Sequence, residues 1–412
     1  MKVVLANKFY FLKGGAERYV LDLEHWLRSR GEEPIPFAMR HPSNLPSAYD
    51  KYFVSRVATE KVRLGWQGLR TLGRLLFSFE AQEKISLLVR RTQADVLHAH
   101  NIYYQISPTI FLTARELSLP TVMTVQDYHM ISPQYMRWSH HRIEDLSKTG
   151  ILRAAFSRFH KNSFFASLAA MMAFKIHDKM GLYHLVDRYV TSSNYVKGEL
   201  IKKGFPAEKI HVIPFGIDAK KITPAVGWDN GYVLFTGRLV EEKGIIAFLK
   251  VAKNLPQIKF KIVGTGPDEE RLRRAAGRLF NVQFVGFASG ETLWNWYRGA
   301  RVVVVPSLWE EVFGIVAIEA MAAGKPVIAS KIGGLPETVV DRVTGLLVQP
   351  GNIPELTEAI SRLYNNVGEA REFGFAGRER VLKYYDSDQH FEKLMEVYKL
   401  AIEEHRGKIR DH

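Results

Sequence analysis

Residues 302–347 constrain the fold of this chain more than any other stretch. Four consecutive valines at 302–305 precede a proline, and such an uninterrupted apolar run is typical of a strand buried on both faces. A loop with two adjacent glutamates follows, and residues 315–323 then have the composition of a helix that ends at a glycine. Residues 327–329 form a second short strand, so the pattern predicts a strand–helix–strand unit within a parallel sheet.

The acidic loop of this unit carries the first candidate chemistry. Glu311 precedes the predicted helix, and Glu319 lies eight residues later, about one turn inside it. Both carboxylates then face the carboxyl edge of the sheet, where open α/β folds bind their ligands. Backbone N–H groups near Gly314 favour an anion at the helix start. Carboxylates that accept hydrogen bonds from hydroxyls, next to amides that bind phosphate, suit a nucleotide sugar. An ordinary strand–helix–strand unit with solvated acidic side chains fits the spacing equally well.

The same stretch resembles a known family. The pattern E-x7-E, followed by A-M-A-A-G-K-P-V-I-A-S and G-G-L-P-E, resembles the donor site of retaining glycosyltransferases, above all glycosyltransferase family 4. The resemblance covers nearly the whole chain and is strongest over 210–350. It implies the GT-B fold, an α/β architecture in which two Rossmann-like domains with doubly wound parallel sheets face each other across a cleft.

The length of the chain also predicts two domains, because 412 residues are too many for one compact core. With the resemblance, we expect an acceptor-side domain at 1–210 and a nucleotide-sugar-binding domain at 211–385. A final helix, 386–412, is expected to cross back to the first domain. The implied reaction transfers a hexose-type sugar from a UDP- or GDP-linked donor to an acceptor hydroxyl with retention, in polysaccharide or glycolipid assembly.

The resemblance also implies roles for individual residues. In T-G-R-L-x-x-x-K-G, Arg238 and Lys243 match the pair that grips the donor diphosphate, although surface charge explains them as well in isolation. Glu311 is expected beside the reacting sugar, and Glu319 at the ribose hydroxyls. The other residues expected to bind the donor are Gly14 and Gly15 of a G-G-A-E loop, Gly237, Gly266, Phe287 at the nucleotide base, Phe313, Gly314 and Ile315.

One position departs from the family pattern. Family members commonly carry His in a T-x-H-D-Y pattern where this chain has Gln126, and that histidine usually lies beside the reacting sugar. Glutamine can hydrogen-bond a hydroxyl but cannot carry a proton. His129, three residues later, supplies an imidazole if the loop folds back. Otherwise the chemistry needs no strong base here, or the activity is impaired.

The charge distribution points to an anionic partner of the first half. The net charge is +14, of which residues 1–214 hold +12 (30 Lys and Arg, 18 Asp and Glu) and residues 215–412 hold +2 (27 and 25). Residues 56–91 are basic and apolar, and form either a helix pair packed on the core or a face for an anionic membrane surface. Residues 136–184, helical in character over 152–180, form either an insert packed on the sheet or an acceptor-facing wall.

These features predict the partners and exclude others. We expect a lipid-linked or saccharide acceptor and a cytoplasmic protein, peripheral on the inner face of the cell membrane. The start of the chain predicts a first strand rather than a signal peptide, and no apolar run is long enough for a membrane span. The basic residues are not gathered in a nucleic-acid-binding motif, so no nucleic acid is expected.

No metal and no cofactor are expected besides the nucleotide sugar as co-substrate. His98 and His100 could share one face of a strand, but no further ligand follows at metal-site spacing. The D-x-D at 386–388 opens a helix, which explains its acids as capping residues. The chain has no cysteine. Two alternatives stay open, a nucleotide-sugar-binding protein without transferase activity and a nucleotide-sugar epimerase of similar fold.

Overall fold

The protein contains two parallel β-sheets with helices packed on their faces. This computed structural model describes residues 1–56, 72–225 and 229–410. The strands are β1 (Lys2–Ala6), β2 (Glu33–Phe37), β3 (Val96–Ala99), β4 (Thr121–Val125), β5 (Trp138–Ser139), β6 (Arg142–Ile143), β7 (Arg188–Thr191), β8 (Ile210–Val212), β9 (Tyr232–Thr236), β10 (Lys259–Val263), β11 (Val282–Gly286), β12 (Ala300–Val305), β13 (Val327–Ser330) and β14 (Gly345–Val348).

Helices connect most successive strands of the two large sheets, as parallel pairing requires. They are α1 (Gly15–Ser29), α2 (Phe79–Thr92), α3 (Ile110–Glu116), α4 (Ile151–Ser157), α5 (Phe164–Lys179), α6 (Asn194–Lys202), α7 (Ile245–Asn254), α8 (Glu269–Ala276), α9 (Gly290–Gly299), α10 (Ile315–Ala322), α11 (Leu335–Thr338), α12 (Ile353–Asn365), α13 (Val367–Tyr384) and α14 (Ser387–Arg410). In the described part of the chain, no helix is both long enough and apolar enough to span a bilayer.

The first sheet forms the N-terminal domain, with strand order β2-β1-β3-β4-β7-β8. Residues of β1, β3 and β4 are buried almost completely because helices cover both faces of the sheet. The strand β8 pairs with β7 through Ile210 and Tyr189. The N-terminal sheet therefore extends to Val212, slightly beyond the predicted domain boundary at 210/211.

The second sheet forms the C-terminal domain and contains the predicted unit at 302–347. Its strand order is β11-β10-β9-β12-β13-β14, and β12 pairs in parallel with β13 through Val303 and Val327. The valines at 302–304 have no exposed surface, as their uninterrupted run predicts. The predicted fold class, two doubly wound parallel sheets, is confirmed.

The chain returns to the N-terminal domain through α14. Phe391, Leu394 and Tyr398 of this helix are buried in one apolar cluster with side chains of α1. The indole N–H of Trp26 donates to Asp388 at 3.0 Å. The carboxylate of Asp386 accepts the backbone N–H of Gln389 at 3.2 Å, so the acids at 386–388 serve the helix start and its docking.

Residues 152–180 are helical, as their sequence indicates, and they form two helices. These are α4 and α5, which pack against each other as a hairpin. Three residues at the turn, Arg158, Lys161 and Asn162, have φ values of 53°, 54° and 50°. Such left-handed positions interrupt a right-handed helix, and asparagine tolerates them better than most residues.

Three buried histidines lie where the returning helix meets the first sheet. His98 bonds the hydroxyls of Tyr398 at 2.6 Å and of Thr124 at 2.7 Å. His390 donates from Nδ1 to the carbonyl of Pro214, so its Nε2 accepts the Tyr19 hydroxyl at 3.0 Å. The ring of His100 packs 4.0 Å from that of His98, and neither of its nitrogens has a hydrogen-bond partner among the described residues.

This cluster predicts that the protein loses stability in weak acid. Burial lowers the pKa of His100 to about 3 and that of His390 to about 4, against 6.5 for a solvated imidazole. The unfolded chain therefore binds more protons below about pH 6.5, and the free energy of unfolding falls as the pH drops further. Between about pH 6.5 and about pH 5, each of these two histidines lowers the free energy of unfolding by about 2 kcal/mol. Urea denaturation at several pH values measures the loss.

A single substitution isolates the contribution of one ring. His100→Leu removes a titrating group that has no hydrogen bond to lose, so the loss of unfolding free energy between about pH 6.5 and about pH 5 should shrink by about 2 kcal/mol, the share of that one imidazole. The matched control is His25→Leu at an exposed position of α1, which should keep the wild-type profile. An unchanged pH dependence in His100→Leu would contradict this origin of the acid sensitivity.

Candidate active site

A cleft of about 2390 Å³ separates the carboxyl edges of the two sheets, and residues of both domains line it. This is where open α/β sheets bind ligands. Every residue predicted to act on or bind the donor lines this one cleft: Gly14, Gly15, Gln126, His129, Gly237, Arg238, Lys243, Gly266, Phe287, Glu311, Phe313, Gly314, Ile315 and Glu319. The structure thus brings the predicted set together, while the roles of its members stay predictions.

An ion pair lies in the wall of the cleft that the C-terminal domain forms. The Nζ atom of Lys243 lies 2.5 Å from Oε1 of Glu311, and the Ser307 hydroxyl donates to the same oxygen at 2.7 Å. The ammonium also lies 5.1 Å from the centre of the Trp309 ring. A cation and an anion are therefore fixed side by side at the sheet edge, with Glu311 only 6% exposed.

The adjacent carboxylate points away from this pair. Glu310 accepts from the Tyr195 hydroxyl at 2.5 Å and pairs with Arg137 at 3.2 Å, and both partners belong to the N-terminal domain. The backbone carbonyl of Glu310 also accepts from the Tyr128 hydroxyl at 2.9 Å. Glu310 therefore joins the two domains, and Glu311 faces the cleft.

Glu319 is also engaged across the cleft. Its Oε1 accepts from Arg18 of the N-terminal domain at 3.0 Å, and its Oε2 accepts from the Tyr297 hydroxyl at 2.8 Å. Burial raises the pKa of this carboxyl, although Arg18 and Tyr297 oppose the rise. Arg18 and Tyr297 were not predicted, because sequence spacing gives no sign that residues so far apart converge.

Two helix starts face the cleft from opposite sides. The helices α1 and α10 begin at Gly15 and Ile315, and a Cβ atom placed on Gly15 would lie 3.8 Å from the Ile315 side chain. Gly314 precedes α10 with φ of 100°, and a Cβ there would lie 2.5 Å from Leu335. Glycine is therefore required at 314, and the backbone N–H groups of both helix starts can stabilise an anion.

The loops after β9 and β10 complete the wall of the cleft that the C-terminal domain forms. A Cβ on Gly266 would lie 2.3 Å from the carbonyl oxygen of Leu239, so only glycine lets these loops approach. Arg238 is exposed and reaches towards Tyr135 of the N-terminal domain, where it lowers a tyrosine pKa that burial raises overall. Phe287 is 71% exposed, which leaves a free aromatic face in the cleft.

His129, in the loop after β4, lines the cleft and is almost completely buried. The His129 ring packs 3.9 Å from Tyr103, and burial holds its pKa well below the usual range, so it is a neutral imidazole. Asp127 accepts from the Tyr103 hydroxyl at 2.5 Å, and burial raises its pKa to about 7. Within the described ranges, neither amide atom of Gln126 has a hydrogen-bond partner.

Asp127 is a candidate residue that was not assigned a role from the sequence. It lies two residues after the end of the buried strand β4 and lines the cleft. A carboxylate close to the carboxyl end of a parallel strand is the signal that could have identified it. Its raised pKa means that its charge changes near neutral pH, unlike that of an ordinary aspartate.

The N-terminal half of the cleft wall is mainly apolar and basic. It includes the apolar side chains of Phe9, Leu12, Leu72, Leu75, Phe159 and Phe165 and the basic side chains of Lys8, Lys13, Arg56, Arg74, His160 and Lys161. Burial lowers the pKa of His160 to about 4, and Lys161 and Lys8 lower it further. The positive groups are therefore close together on this wall.

The membrane-facing hypothesis for residues 56–91 is not supported at Arg74. Its guanidinium pairs with Glu80 at 2.6 Å and donates to the Ser55 hydroxyl at 2.8 Å, with 18% of the side chain exposed. Arg74 and Leu75 also line the cleft instead of facing outward. Arg63 and Arg70 are expected beside Arg74 on the basic side of such a face, and Trp66 and Leu69 at its apolar boundary, but these four lie outside the described residues.

Potential metal ligands do not cluster in the described part of the chain. Across residues 1–56, 72–225 and 229–410, no three His, Asp or Glu side chains converge as a metal site. His98 and His100 do share a location, but the first is bonded to Tyr398 and Thr124 and both lie in the buried interface of α14.

Comparisons with known proteins agree with this geometry. The model of the family described as Glycosyltransferase Family 4 matches residues 13–221, and that described as Glycosyl transferases group 1 matches residues 219–380. An uncharacterized glycosyltransferase of Methanocaldococcus jannaschii is 32% identical over 218 residues, which cover 48% of this chain and 56% of that protein. The chain spans about half the length of the curated relatives it matches.

Solved structures share the fold over almost the full chain. Sucrose-phosphate synthase from Thermosynechococcus elongatus superposes with a TM-score of 0.70 at 22% identity, covering 97% of this chain and 98% of that one. Anabaena HepE in complex with UDP and glucose gives a TM-score of 0.66 at 20% identity, covering 97% and 99%. At these identities the likeness shows the two-domain fold.

Substitution of Glu319 tests the expected ribose site. Glu319→Ala should weaken binding of nucleotide and nucleotide sugar alike by roughly 10- to 100-fold, since hydrogen bonds to a charged group contribute about 1.5–3 kcal/mol. Isothermal titration of both ligands measures it. Glu270→Ala, at an exposed glutamate of the same domain, is the matched control and should bind as the wild type does. Unchanged affinity in Glu319→Ala would place the ribose elsewhere.

Proposed function

Because this chain belongs to glycosyltransferase family 4, we propose that it transfers a sugar from a nucleotide-diphosphate donor to an acceptor hydroxyl with retention at the anomeric carbon. The observation that carries this proposal is the pair of Lys243 and Glu311, 2.5 Å apart at the edge of the sheet. Breaking a glycosyl–phosphate bond leaves negative charge on the diphosphate and positive charge on the sugar. A fixed cation beside a fixed anion matches that separation of charge.

The other cleft residues extend this match along the donor. Arg238 and Lys243, with the helix-start amides at Gly15 and Ile315, stabilise the leaving diphosphate. Glu311 holds the sugar hydroxyls and favours the positive charge that develops at the anomeric carbon. Glu319 holds the ribose. When the donor binds, the ribose hydroxyls take the place of Arg18 as the hydrogen-bond partners of this carboxylate. These groups are in place before the reaction, so little reorganisation opposes the step.

The donor is proposed to be UDP- or GDP-linked. Anabaena HepE, with the same fold, is seen with UDP and glucose, which supports a uridine nucleotide for this cleft. The exposed ring of Phe287 offers a stacking surface for the base. The acceptor is a lipid-linked or saccharide hydroxyl, in polysaccharide or glycolipid assembly by a cytoplasmic protein at the inner face of the membrane.

A binding protein without transferase activity is the second candidate, and Gln126 favours it. An amide cannot take up a proton, and the neighbouring His129 is a weak base because burial holds its pKa low. In that case the cleft retains its affinity for nucleotide sugars but releases no nucleoside diphosphate. A nucleotide-sugar epimerase would instead change the donor without any acceptor.

A thermal-shift screen of nucleotide sugars tests donor binding. A ligand present at about 100 times its Kd adds about 2.7 kcal/mol to the stability of the folded state. We expect one UDP- or GDP-linked sugar to raise the Tm well above the others. No shift with any nucleotide sugar would contradict the proposal and both alternatives.

Transfer itself should be independent of divalent metal. Arg238, Lys243 and the helix-start amides provide the positive charge that a metal gives in other enzymes. Turnover with the selected donor should therefore persist in excess EDTA. Complete loss in EDTA, reversed by a divalent ion, would contradict this assignment.

A further inference from the structure

The hairpin of α4 and α5 leaves large apolar side chains mostly exposed, although the Phe156 ring packs on Phe164 with 5.0 Å between the ring centres. Its inner faces form a small core that includes Ala154, Phe159 and Met171. On the outer face, Leu152 is 65% exposed and Phe156 is 72% exposed. Such a concentration of apolar surface on one element marks an interaction site.

The same segment is strongly basic. Residues 146–177 contain five Lys and Arg (Lys148, Arg153, Arg158, Lys161 and Lys175) and no Asp or Glu. All of these except Lys175 are exposed in the structure. Exposed apolar side chains and exposed positive charges on one segment complement an anionic lipid surface, which takes up the apolar groups and attracts the charges.

This surface continues into the cleft. Phe165, at the start of α5, is 52% exposed and also lines the cleft, beside Ala169 and His160. Through Phe165, the outer face of the hairpin therefore borders the cleft. The basic and apolar lining there suits a phosphate group attached to an apolar chain.

We propose that the outer face of the α4–α5 hairpin, defined by Ile151, Leu152, Arg153, Phe156 and Phe165, docks on an anionic lipid leaflet and receives a lipid-linked acceptor. Only the part of this proposal that concerns the acceptor rests on the proposed function, because docking on a membrane needs no catalysis. The proposed lipid-facing surface is therefore the hairpin and not residues 56–91.

Vesicle co-sedimentation tests the docking surface. The wild-type protein should bind vesicles that contain phosphatidylglycerol, bind pure phosphatidylcholine vesicles weakly, and release as salt rises. The double variant Leu152→Ser/Phe156→Ser should lower the partition coefficient roughly tenfold or more, because each side chain loses its burial in the leaflet. Lys148→Gln/Arg153→Gln should lower it roughly fivefold per charge, at low salt only.

The C-terminal domain supplies a matched control. Phe280 and Phe375 are 88% and 67% exposed, so Phe280→Ser/Phe375→Ser removes a similar exposed area at a distance from the hairpin. This control should bind vesicles as the wild type does. Circular dichroism and Tm confirm that each variant is folded.

Three results would overturn the proposal: equal binding to both vesicle types, no binding to either, or wild-type binding by the hairpin variant. Sizing chromatography detects the competing case, a self-association that the Leu152→Ser/Phe156→Ser change abolishes. Nucleotide-induced stabilisation is measured in the same samples and should be unchanged in every variant. If the protein does not bind vesicles but nucleotide sugars stabilise it, the docking proposal is wrong and the proposed function stands. If the protein binds vesicles but no nucleotide sugar stabilises it, the docking proposal stands and the proposed function is wrong.

Discussion

Glu311→Gln should lower turnover roughly 100-fold or more while nucleotide binding stays near the wild-type value. The change keeps the shape of the side chain and removes its charge, which in this account acts mainly on the positive sugar of the transition state. Loss of one preorganised electrostatic group costs about 2.7–4 kcal/mol in other enzymes. Steady-state kinetics should show the loss in kcat and in kcat/KM together, as expected for an interaction made in the transition state.

The neighbouring residue provides the control. Glu310→Gln changes the same chemical group one position away, but its carboxylate is bonded to Arg137 and Tyr195 between the domains. We expect this variant to lose stability and to keep far more of its turnover than Glu311→Gln. Near-wild-type turnover in Glu311→Gln would refute the role assigned to that carboxylate.

Arg238→Ala and Lys243→Ala should each cost roughly 2–4 kcal/mol of transition-state stabilisation, the range for one preorganised charge donor. Arg238 is exposed in the cleft and Lys243 is paired with Glu311, so a diphosphate can reach both. The Lys243 variant should have an additional effect, because it leaves the nearly buried Glu311 without its cation. Rates of nucleoside diphosphate release measure both losses.

The control for these two variants is Lys259→Ala. Lys259 is exposed at the amino end of β10, so it lies at the edge of the sheet opposite the cleft. Its removal should leave turnover unchanged. Full activity in both Arg238→Ala and Lys243→Ala would mean that the diphosphate binds elsewhere.

The features that the sequence predicted well are local and repetitive. The valine run at 302–305 and the helix after Gly314 follow from periodicity within one short stretch, and they define the parallel sheet. The apolar spacing of Phe391, Leu394 and Tyr398 likewise indicates a helix, whereas its return to the N-terminal domain was expected only from the family resemblance. For the strands and helices themselves, neighbouring residues carry the whole signal.

The contacts that sequence reasoning missed join residues far apart in the chain. Arg18 and Glu319 are brought together only by the docking of the two domains, and no local pattern reports that. The pKa of Asp127 depends on burial by the surrounding side chains. Arg74 is basic in the sequence, but it is paired with Glu80, a contact that composition does not report.

Product analysis with the donor chosen by the thermal-shift screen tests the central claim most directly. The protein is incubated with that nucleotide sugar, with and without a lipid-linked or saccharide acceptor, and nucleoside diphosphate and sugar products are identified by NMR. The account predicts that nucleoside diphosphate is released in step with a glycoside whose anomeric configuration equals that of the donor. An inverted glycoside, an epimerised donor formed without acceptor, or bound donor that is never consumed would contradict it.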